Sequence, residues 1–164
     1  MSHGPTSTLP TTPLVVRGAE APTYTLTPGN SFSFLFADFA GQPEIYSEVG
    51  SRGDGPPMHR HPWGSLEVII EGRVKFVIDG AEHVLEAGDL IFTPPNAAHA
   101  YMIDSDKARV LGINLAGTRF KELQEKASPL FQTGGPPDMG AIMRTASEVN
   151  VEVLGPPLRA ASAG

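Results

Sequence analysis

The sequence predicts an all-β protein, an antiparallel sandwich or barrel, with one or two short helices near its C-terminal end. Short segments in which apolar and polar residues alternate recur between residues 31 and 115, and Gly, Pro and Asp-Gly turns separate them. Apolar residues take helical spacing only after residue 116. The helical segment is therefore expected to follow the β-domain.

The predicted strands lie close together along the chain. They cover residues 14–16, 31–39, 44–49, 66–70, 73–78, 82–85, 90–93, 99–103 and 109–115. Asp79-Gly80 is a strong hairpin signal, because its glycine permits a positive φ. Phe32, Phe34 and Phe36 give the second strand one strongly apolar face. We interpret this face as core, with the wall of a ligand pocket as the alternative.

Two helices are predicted beyond these strands. Residues 117–127 carry apolar side chains at helical spacing. Asp138 suits the N-cap of a second helix, which we expect to extend to residue 146. Residues 149–154 are predicted to be extended, and Pro156-Pro157 to lead into a loose end.

We divide the chain into three parts. Residues 1–12 are rich in Thr, Ser and Pro and are expected to form a flexible N-terminal arm. Residues 13–128 are expected to form the β-barrel with its following helix, and residues 129–164 a C-terminal helix and an extended tail. A chain of 164 residues is large enough for one domain with a proper core.

The composition argues against several classes of function and favours small-molecule chemistry. The net charge is -6 at pH 7, with no cluster of Lys or Arg to contact nucleic acid or an anionic membrane. No run of about 18 apolar residues is present to span a membrane, and no signal-peptide pattern is present, so we expect a cytoplasmic protein. Cysteine is absent, so any metal site must use histidine and carboxylate ligands.

Three histidines and one glutamate form the candidate metal site. His59 and His61 are expected to point to the same side of an extended strand, because side chains alternate with a period of two. His99 offers a third imidazole, and the carboxylate of Glu67 is close by in the sequence. This set of donors suits one divalent ion of Fe, Mn, Ni, Co or Zn. A His-x-His pair also arises by chance, but the flanking Gly and Pro residues support its interpretation as a ligand pair.

The spacing around the first two histidines resembles the first motif of the cupin superfamily. That motif runs Gly, five residues, His, one residue, His, three or four residues, Glu, six residues, Gly. Gly53, His59, His61 and Gly72 match it.

The second cupin motif follows at the spacing of small microbial cupins, with fifteen residues between Gly72 and Gly88. It runs Gly, five residues, Pro, one residue, Gly, two residues, His, three residues, Asn. Pro94 and His99 match it together with Gly88, whereas Asn96 and Ile103 replace the second Gly and the Asn. The resemblance covers about residues 31–116 and implies a jelly-roll β-barrel that holds its metal through the motif histidines.

A narrower similarity points to single-domain cupins of the quercetin-dioxygenase-like type. It rests on Gly-Pro-Pro-Met-His-Arg-His-Pro-Trp at residues 55–63, on the helix after the barrel and on Val-Leu-Gly-Pro-Pro-Leu at residues 153–158. Cupins include dioxygenases, isomerases, cyclases and binding proteins, so the resemblance implies a fold more strongly than a function.

The chain departs from the family at the motif glutamate, whose place is taken by Ser65. A serine hydroxyl is a poor ligand for a divalent metal. Glu67 lies two residues later and should face the same side of the strand. Either the loop before it, with flexible Gly64, moves Glu67 into the ligand position, or the strand stays in register and Glu67 lies deeper as a base or a second-layer group.

Three other polar residues near the motifs are not predicted as ligands. His83 shares the parity of Leu85 but is interpreted as a strand-edge side chain. Arg60 alternates away from the metal face and is interpreted as structural. Asp89 is expected to cap backbone N–H groups in its turn.

Three functions are compatible with this site. The first is a metal-dependent dioxygenase similar to quercetinase, in which Glu67 takes a hydroxyl proton from an aromatic or enolic substrate. The second is a redox-neutral, metal-dependent polyketide cyclase, aromatase or isomerase. The third is a non-catalytic cupin that binds a small molecule. The resemblance also implies a homodimer and an aromatic or polyketide-like ligand.

Overall fold

The computed structural model describes residues 7–160, which form two β-sheets and two short helices. Residues 1–6 of the predicted arm and 161–164 of the predicted tail lie outside the described residues. The all-β prediction with C-terminal helices is confirmed. The strands are β1 (Thr23–Thr27), β2 (Asn30–Phe36), β3 (Glu44–Ser51), β4 (Pro57–Arg60), β5 (Ser65–Glu71), β6 (Arg73–Ile78), β7 (Ala81–Glu86), β8 (Leu90–Thr93), β9 (His99–Ile103), β10 (Lys107–Asn114) and β11 (Glu152–Pro157).

The two sheets form the walls of a jelly-roll barrel. The six-stranded sheet has the order β1-β2-β3-β10-β5-β8, and the five-stranded sheet the order β11-β4-β9-β6-β7. Side chains from both sheets meet in one buried cluster, as two facing sheets require. Its buried members are Ile69, Val74, Phe76, Leu85, Ile103, Ala108 and Val110.

The strand prediction is wrong near the N-terminus. Residues 14–16 form no strand, and Val15 is 70% exposed. The reason is pairing: the partner of β2 on this side is Thr23–Thr27, a strand that we did not predict. A β-branched run without a partner strand gains no ladder of hydrogen bonds. The next predicted strand also ends early, because Asp38 adopts a φ of 70°.

The extended segment predicted at residues 149–154 is observed as β11, which begins at Glu152 and continues through Pro156 and Pro157. Both prolines belong to β11, the edge strand that pairs with β4. An edge strand tolerates proline, because its outer side needs no N–H donor. Val153 of β11 lies opposite His59, so this C-terminal strand supports the candidate site from outside the motif region.

Both predicted helices are present, as α1 (Phe120–Phe131) and α2 (Met139–Glu148). Asp138 is the N-cap of α2, as predicted, and its side chain accepts a hydrogen bond from Ala141 N at 3.0 Å. The two helices pack on each other, α1 packs on β1, and α2 packs on β11. The helix pair therefore connects β1 and β11, the edge strands of the two sheets.

A buried carboxylate fixes α1 to the barrel. Glu44 Oε2 accepts hydrogen bonds from Thr118 Oγ1 and from Lys121 N, each at 3.0 Å. The second bond satisfies an N–H at the first turn of α1 that has no partner within the helix. The first residue of the helix, Phe120, packs its ring on three aromatic residues of the barrel, Phe32, Phe34 and Tyr46.

We predict that Glu44→Ala destabilises the protein by about 1–2 kcal/mol, the usual cost of losing a helix cap. Glu44→Gln is the matched control, since its amide oxygen can still accept both hydrogen bonds. Urea unfolding followed by far-UV circular dichroism measures both variants. Equal stability of the alanine and glutamine variants would contradict the assigned role.

Candidate metal centre

The three motif histidines converge inside the barrel. His59 lies in β4 directly opposite His99 in β9, and His61 follows one residue after β4 ends. His61 and His99 are buried, and His59 is half-buried. The ring centroid of His99 lies 4.2 Å from that of His59 and 4.7 Å from that of His61.

Each imidazole is held by a backbone carbonyl two residues away. The Nδ1 atoms of His59, His61 and His99 lie 2.8, 2.8 and 2.9 Å from the carbonyl oxygens of Pro57, Trp63 and Ala97. A carbonyl oxygen can only accept, so each Nδ1 must carry the proton and donate it. This fixes the tautomer and leaves the lone pair of Nε2 on every ring available for a metal.

Burial keeps the three rings neutral. Burial, together with the proximity of His99, lowers the pKa of His59 to about 3 and that of His61 to about 4. Burial also lowers the pKa of His99. Neutral imidazole is the form that binds metal, so the rings need lose no proton to bind.

The donor atoms lie close enough together for one ion. The ligand atoms of His59, His61 and His99 all lie within 4.8 Å of one another. Two nitrogens bound to one metal at about 2.1 Å lie up to about 4.2 Å apart, so small side-chain movements would close the site. The residues therefore fit a divalent transition metal.

Glu67 faces the same cavity but is not part of this cluster. β5 pairs regularly with β8 from Ser65 to Val68, so no residue is looped out between Ser65 and Glu67. Both side chains are buried on one face of the strand, as the period of two predicted. The strand therefore stays in register, as in the alternative that places Glu67 deeper in the barrel than the motif glutamate. The assignment of Glu67 as a metal ligand stays a prediction.

The environment of Glu67 favours its protonated form. Burial raises the pKa of Glu67 to about 8, and the nearby carboxylate of Glu48 adds to the rise. The nearby hydroxyl of Ser65 lowers the pKa of Glu67 and so offsets part of this rise. Ser65 Oγ nevertheless forms no hydrogen bond with Glu67. Glu67 Oε2 has no hydrogen-bond partner among residues 7–160.

The sequence analysis missed a second buried carboxyl group, Glu48 in β3. Its two oxygens accept hydrogen bonds from Asn30 Nδ2 and from Tyr101 Oη, both at 2.8 Å. Burial raises the pKa of Glu48 to about 7, and the two hydrogen bonds offset part of the rise. The available signal was parity: Glu48 lies two residues after Tyr46, so both occupy one face of the strand.

The site opens into a cavity of about 410 Å³, within the range for small-molecule sites. Polar groups of the barrel line one part of it, namely the three histidines, Glu48, Glu67, Asn30, Tyr46, Tyr101 and Asn114. The C-terminal segment lines another part with mainly apolar side chains, among them Phe120, Leu123, Phe131, Met139, Ile142 and Val153. We call these two parts the polar floor and the helical roof.

Trp63 connects the floor to the roof. Its indole stacks on the His61 ring with centroids 4.3 Å apart and an interplanar angle of 7°. It also belongs to a buried cluster against which Phe120 and Leu123 of α1 pack. It is the single tryptophan of the chain, so its fluorescence reports on the cluster of three histidines.

The remaining polar residues near the motifs lie outside the cluster. His83 is exposed in β7. Arg60 forms an exposed ion pair with Glu152 at 2.7 Å. Asp89 Oδ2 accepts a hydrogen bond from Glu86 N at 2.8 Å, which confirms the predicted cap of this turn.

Neither helix among the described residues is long and apolar enough to cross a membrane.

Fold and site together define a jelly-roll barrel with three histidines clustered in its interior. A family model described as "Cupin domain" matches residues 47–114, the segment that contains all three histidines. Over these residues, which are less than half of the chain, the sequence matches the cupin domain, and the fold is that of a cupin barrel.

Two curated relatives are dioxygenases. The chain is 30% identical to quercetin 2,3-dioxygenase of Bacillus subtilis (strain 168) over 103 residues, which are 62% of this chain and 28% of that protein. It is 34% identical to gentisate 1,2 dioxygenase 1 of Aquipseudomonas alcaligenes over 59 residues, which are 35% of this chain and 17% of that protein. The chain thus spans less than a third of either relative.

Solved structures support the fold. An RmlC-like cupin from Shewanella frigidimarina NCIMB 400 matches with a TM-score of 0.57 and 19% identity, over 64% of this chain and 92% of its own. The polyketide cyclase RemF from Streptomyces resistomycificus matches with a TM-score of 0.54 and 19% identity, over 63% of this chain and 80% of its own. At this identity the likeness concerns the fold.

We predict that His59→Ala, His61→Ala and His99→Ala each weaken binding of a divalent transition metal at least about 100-fold, since even the loss of a group supporting a ligand costs 10–100-fold. His83→Ala is the matched control; we expect it to bind one ion per chain, the same amount that we expect for the unchanged protein. Elemental analysis and quenching of Trp63 fluorescence measure binding. A loss in His83→Ala equal to that in the other three would refute the cluster.

We predict that the metal-free protein loses about 1 kcal/mol of stability between pH 7 and pH 9 through Glu67. The folded-state pKa of about 8 lies above the unfolded value, so the folded state holds this proton more tightly, and that stabilisation disappears as the pH rises through 8. Urea unfolding at both pH values should show a smaller loss in Glu67→Gln than in the unchanged protein. Glu71→Gln, exposed at the end of the same strand, should behave like the unchanged protein.

Proposed function

We propose that the protein is a metal-dependent dioxygenase that acts on a flat aromatic or enolic substrate. The observation that carries the proposal is the cluster of three neutral imidazoles beside a buried glutamate, in a cavity with an apolar roof. The two dioxygenases among the relatives support the same reaction class.

In this proposal His59, His61 and His99 hold one divalent ion of Fe, Mn, Ni, Co or Zn through their Nε2 atoms. When bound, such an ion supplies an open coordination position that lowers the pKa of a substrate hydroxyl, and a redox-active ion supports reaction with O2. The three carbonyls that hold the Nδ1 atoms keep the rings aimed at the ion.

Glu67 acts as the base in this proposal. Its carboxylate, the minor form at pH 7 because the pKa is about 8, takes the proton of the substrate hydroxyl, which leaves the substrate as an electron-rich enolate or phenolate. A pKa near neutrality suits a general base. Both atoms of O2 enter the product, so the reaction needs no external reductant. The proton then returns from Glu67 to the product.

The helical roof shapes the substrate in this proposal. Phe120, Leu123 and Ile142 add apolar surface to the cavity that the polar floor also lines, which favours a flat ring system over a sugar or an amino acid. Closing the site with apolar side chains also keeps bulk water away from the reacting oxygen.

The second candidate is a redox-neutral cyclase, aromatase or isomerase for a polyketide-like substrate. The observation that favours it is the position of Glu67 outside the histidine cluster, beside the second carboxyl group of Glu48. Two buried carboxyl groups can remove a proton and protonate a leaving hydroxyl, as aldol closure and dehydration require. A non-catalytic binder would use the same cavity without turnover. A homodimer and a cytoplasmic location stay predictions.

We predict that the protein loaded with a redox-active ion consumes O2 with quercetin, and that Glu67→Gln lowers kcat about 100- to 10,000-fold, the usual contribution of a general base. Glu71→Gln, the exposed carboxylate on the same strand, should keep full activity. An oxygen electrode measures the rate, and elemental analysis shows whether Glu67→Gln still binds metal.

The outcomes separate the candidates. Full metal content in an inactive Glu67→Gln variant identifies a base, whereas loss of metal identifies a ligand. Turnover that is equally fast without O2, or with redox-inert zinc, would contradict the dioxygenase proposal and support the redox-neutral cyclase. Binding of small aromatic molecules without turnover, whatever the metal, would support a non-catalytic binding protein.

A further inference from the structure

We propose that Gln124 selects the substrate: its side-chain oxygen accepts a hydrogen bond from a hydroxyl group at the end of the substrate that does not bind the metal. This inference rests on the proposed function for the orientation of the substrate. It adds a specificity residue on helix α1, outside the segment that matches the cupin domain.

The first observation is an unpartnered amide in the roof. Gln124 is only 6% exposed and lines the cavity, and its Oε1 has no hydrogen-bond partner among residues 7–160. A buried polar oxygen without a donor costs about 1–3 kcal/mol. Its neighbours on the inner face of α1, Leu123 and Ala127, are apolar, so packing alone gives no reason for an amide there.

The second observation is the position of α1 relative to the histidines. Trp63 stacks on His61 and also packs in the cluster that includes Phe120 and Leu123. A single layer of side chains, to which Trp63 belongs, therefore separates helix α1 from the cluster of three histidines. Gln124 and the histidines line the same cavity, so in this proposal a ring system bound at the histidines extends beneath α1 and its far end meets Gln124.

The third observation is the charge of the cavity. None of the described residues that line it is Lys or Arg, whereas Glu48 and Glu67 both line it. At the end of the ligand that does not bind the metal, an anionic group such as a carboxylate or a phosphate would be buried without a compensating Lys or Arg. This end of the favoured ligand is therefore neutral, and it carries a hydrogen-bond donor such as a hydroxyl group, because the amide oxygen can only accept.

Two flavonols test the inference by binding rather than by turnover. Quercetin carries hydroxyl groups on both ring systems, whereas 3-hydroxyflavone shares its reacting end and lacks the others. Calorimetric titration of the metal-loaded protein without O2 measures both affinities. We expect the unchanged protein to bind quercetin at least about 10-fold more tightly, since 1.4 kcal/mol corresponds to a factor of ten.

Gln124→Leu should bring the ratio of the two affinities close to one, mainly by lowering the affinity for quercetin. Gln132→Leu is the matched control: Gln132 follows α1, its amide donates to Thr25 O, and it does not line the cavity. This variant should keep the ratio. Gln124→Leu should also be at least as resistant to urea as the unchanged protein, because it removes an unpartnered buried amide.

Three results would overturn the inference: an unchanged ratio in Gln124→Leu, equal affinity of the unchanged protein for both flavonols, or no binding of either. A large loss of stability in Gln124→Leu with an unchanged ratio would assign Gln124 to the fold. If the ratio responds as expected but no O2 is consumed, the dioxygenase proposal fails while the role of Gln124 stands.

Discussion

The pairing of β4 with β9 is the constraint on which the rest of the interior depends. It places His59 opposite His99, and the Nδ1 bond of each ring is made to a carbonyl of its own chain segment. Ring orientation is therefore set locally, while ring separation is set by the strand register. A slip of one residue would turn one imidazole to the outer face, so the fold and the site are specified together.

Two buried carboxyl groups share this interior, and their partners differ. Glu48 is held by Asn30 and Tyr101, whereas Glu67 Oε2 finds no partner among the described residues. A carboxyl group whose two oxygens both accept hydrogen bonds is restrained in position and in charge. A carboxyl group with an oxygen that has no hydrogen-bond partner can exchange a proton with a ligand. Differences of this kind assign separate roles to chemically identical side chains.

Strand positions and the three histidines could be predicted because each rests on a local pattern. Alternation marked β2, β3 and the strands after Ser65, and Asp138 marked the second helix. Parity indicates that Glu44, Tyr46 and Glu48 share one face of β3, but it does not show that this face is the buried one, because the opposite face carries the apolar residues Ile45 and Val49. Polar residues belong inside only when distant groups satisfy them, and here Thr118, Lys121, Asn30 and Tyr101 do so.

Residues 14–16 show the opposite limit: a strand-like composition fails where no partner strand lies beside it. The position of Glu67 was left open between two registers, and the regular pairing of β5 with β8 shows which register the strand takes. Long-range pairing decides such questions, and one sequence holds no direct record of it.

The division of the cavity between floor and roof has a consequence for how such a protein can diverge. The histidines lie within residues 47–114, whereas α1, α2 and β11 follow that segment along the chain. In the proposed function, selection of the ligand and activation of the ligand are thus encoded in consecutive stretches. Exchange of the C-terminal stretch between related barrels offers a route to new substrates that leaves the metal-binding strands intact.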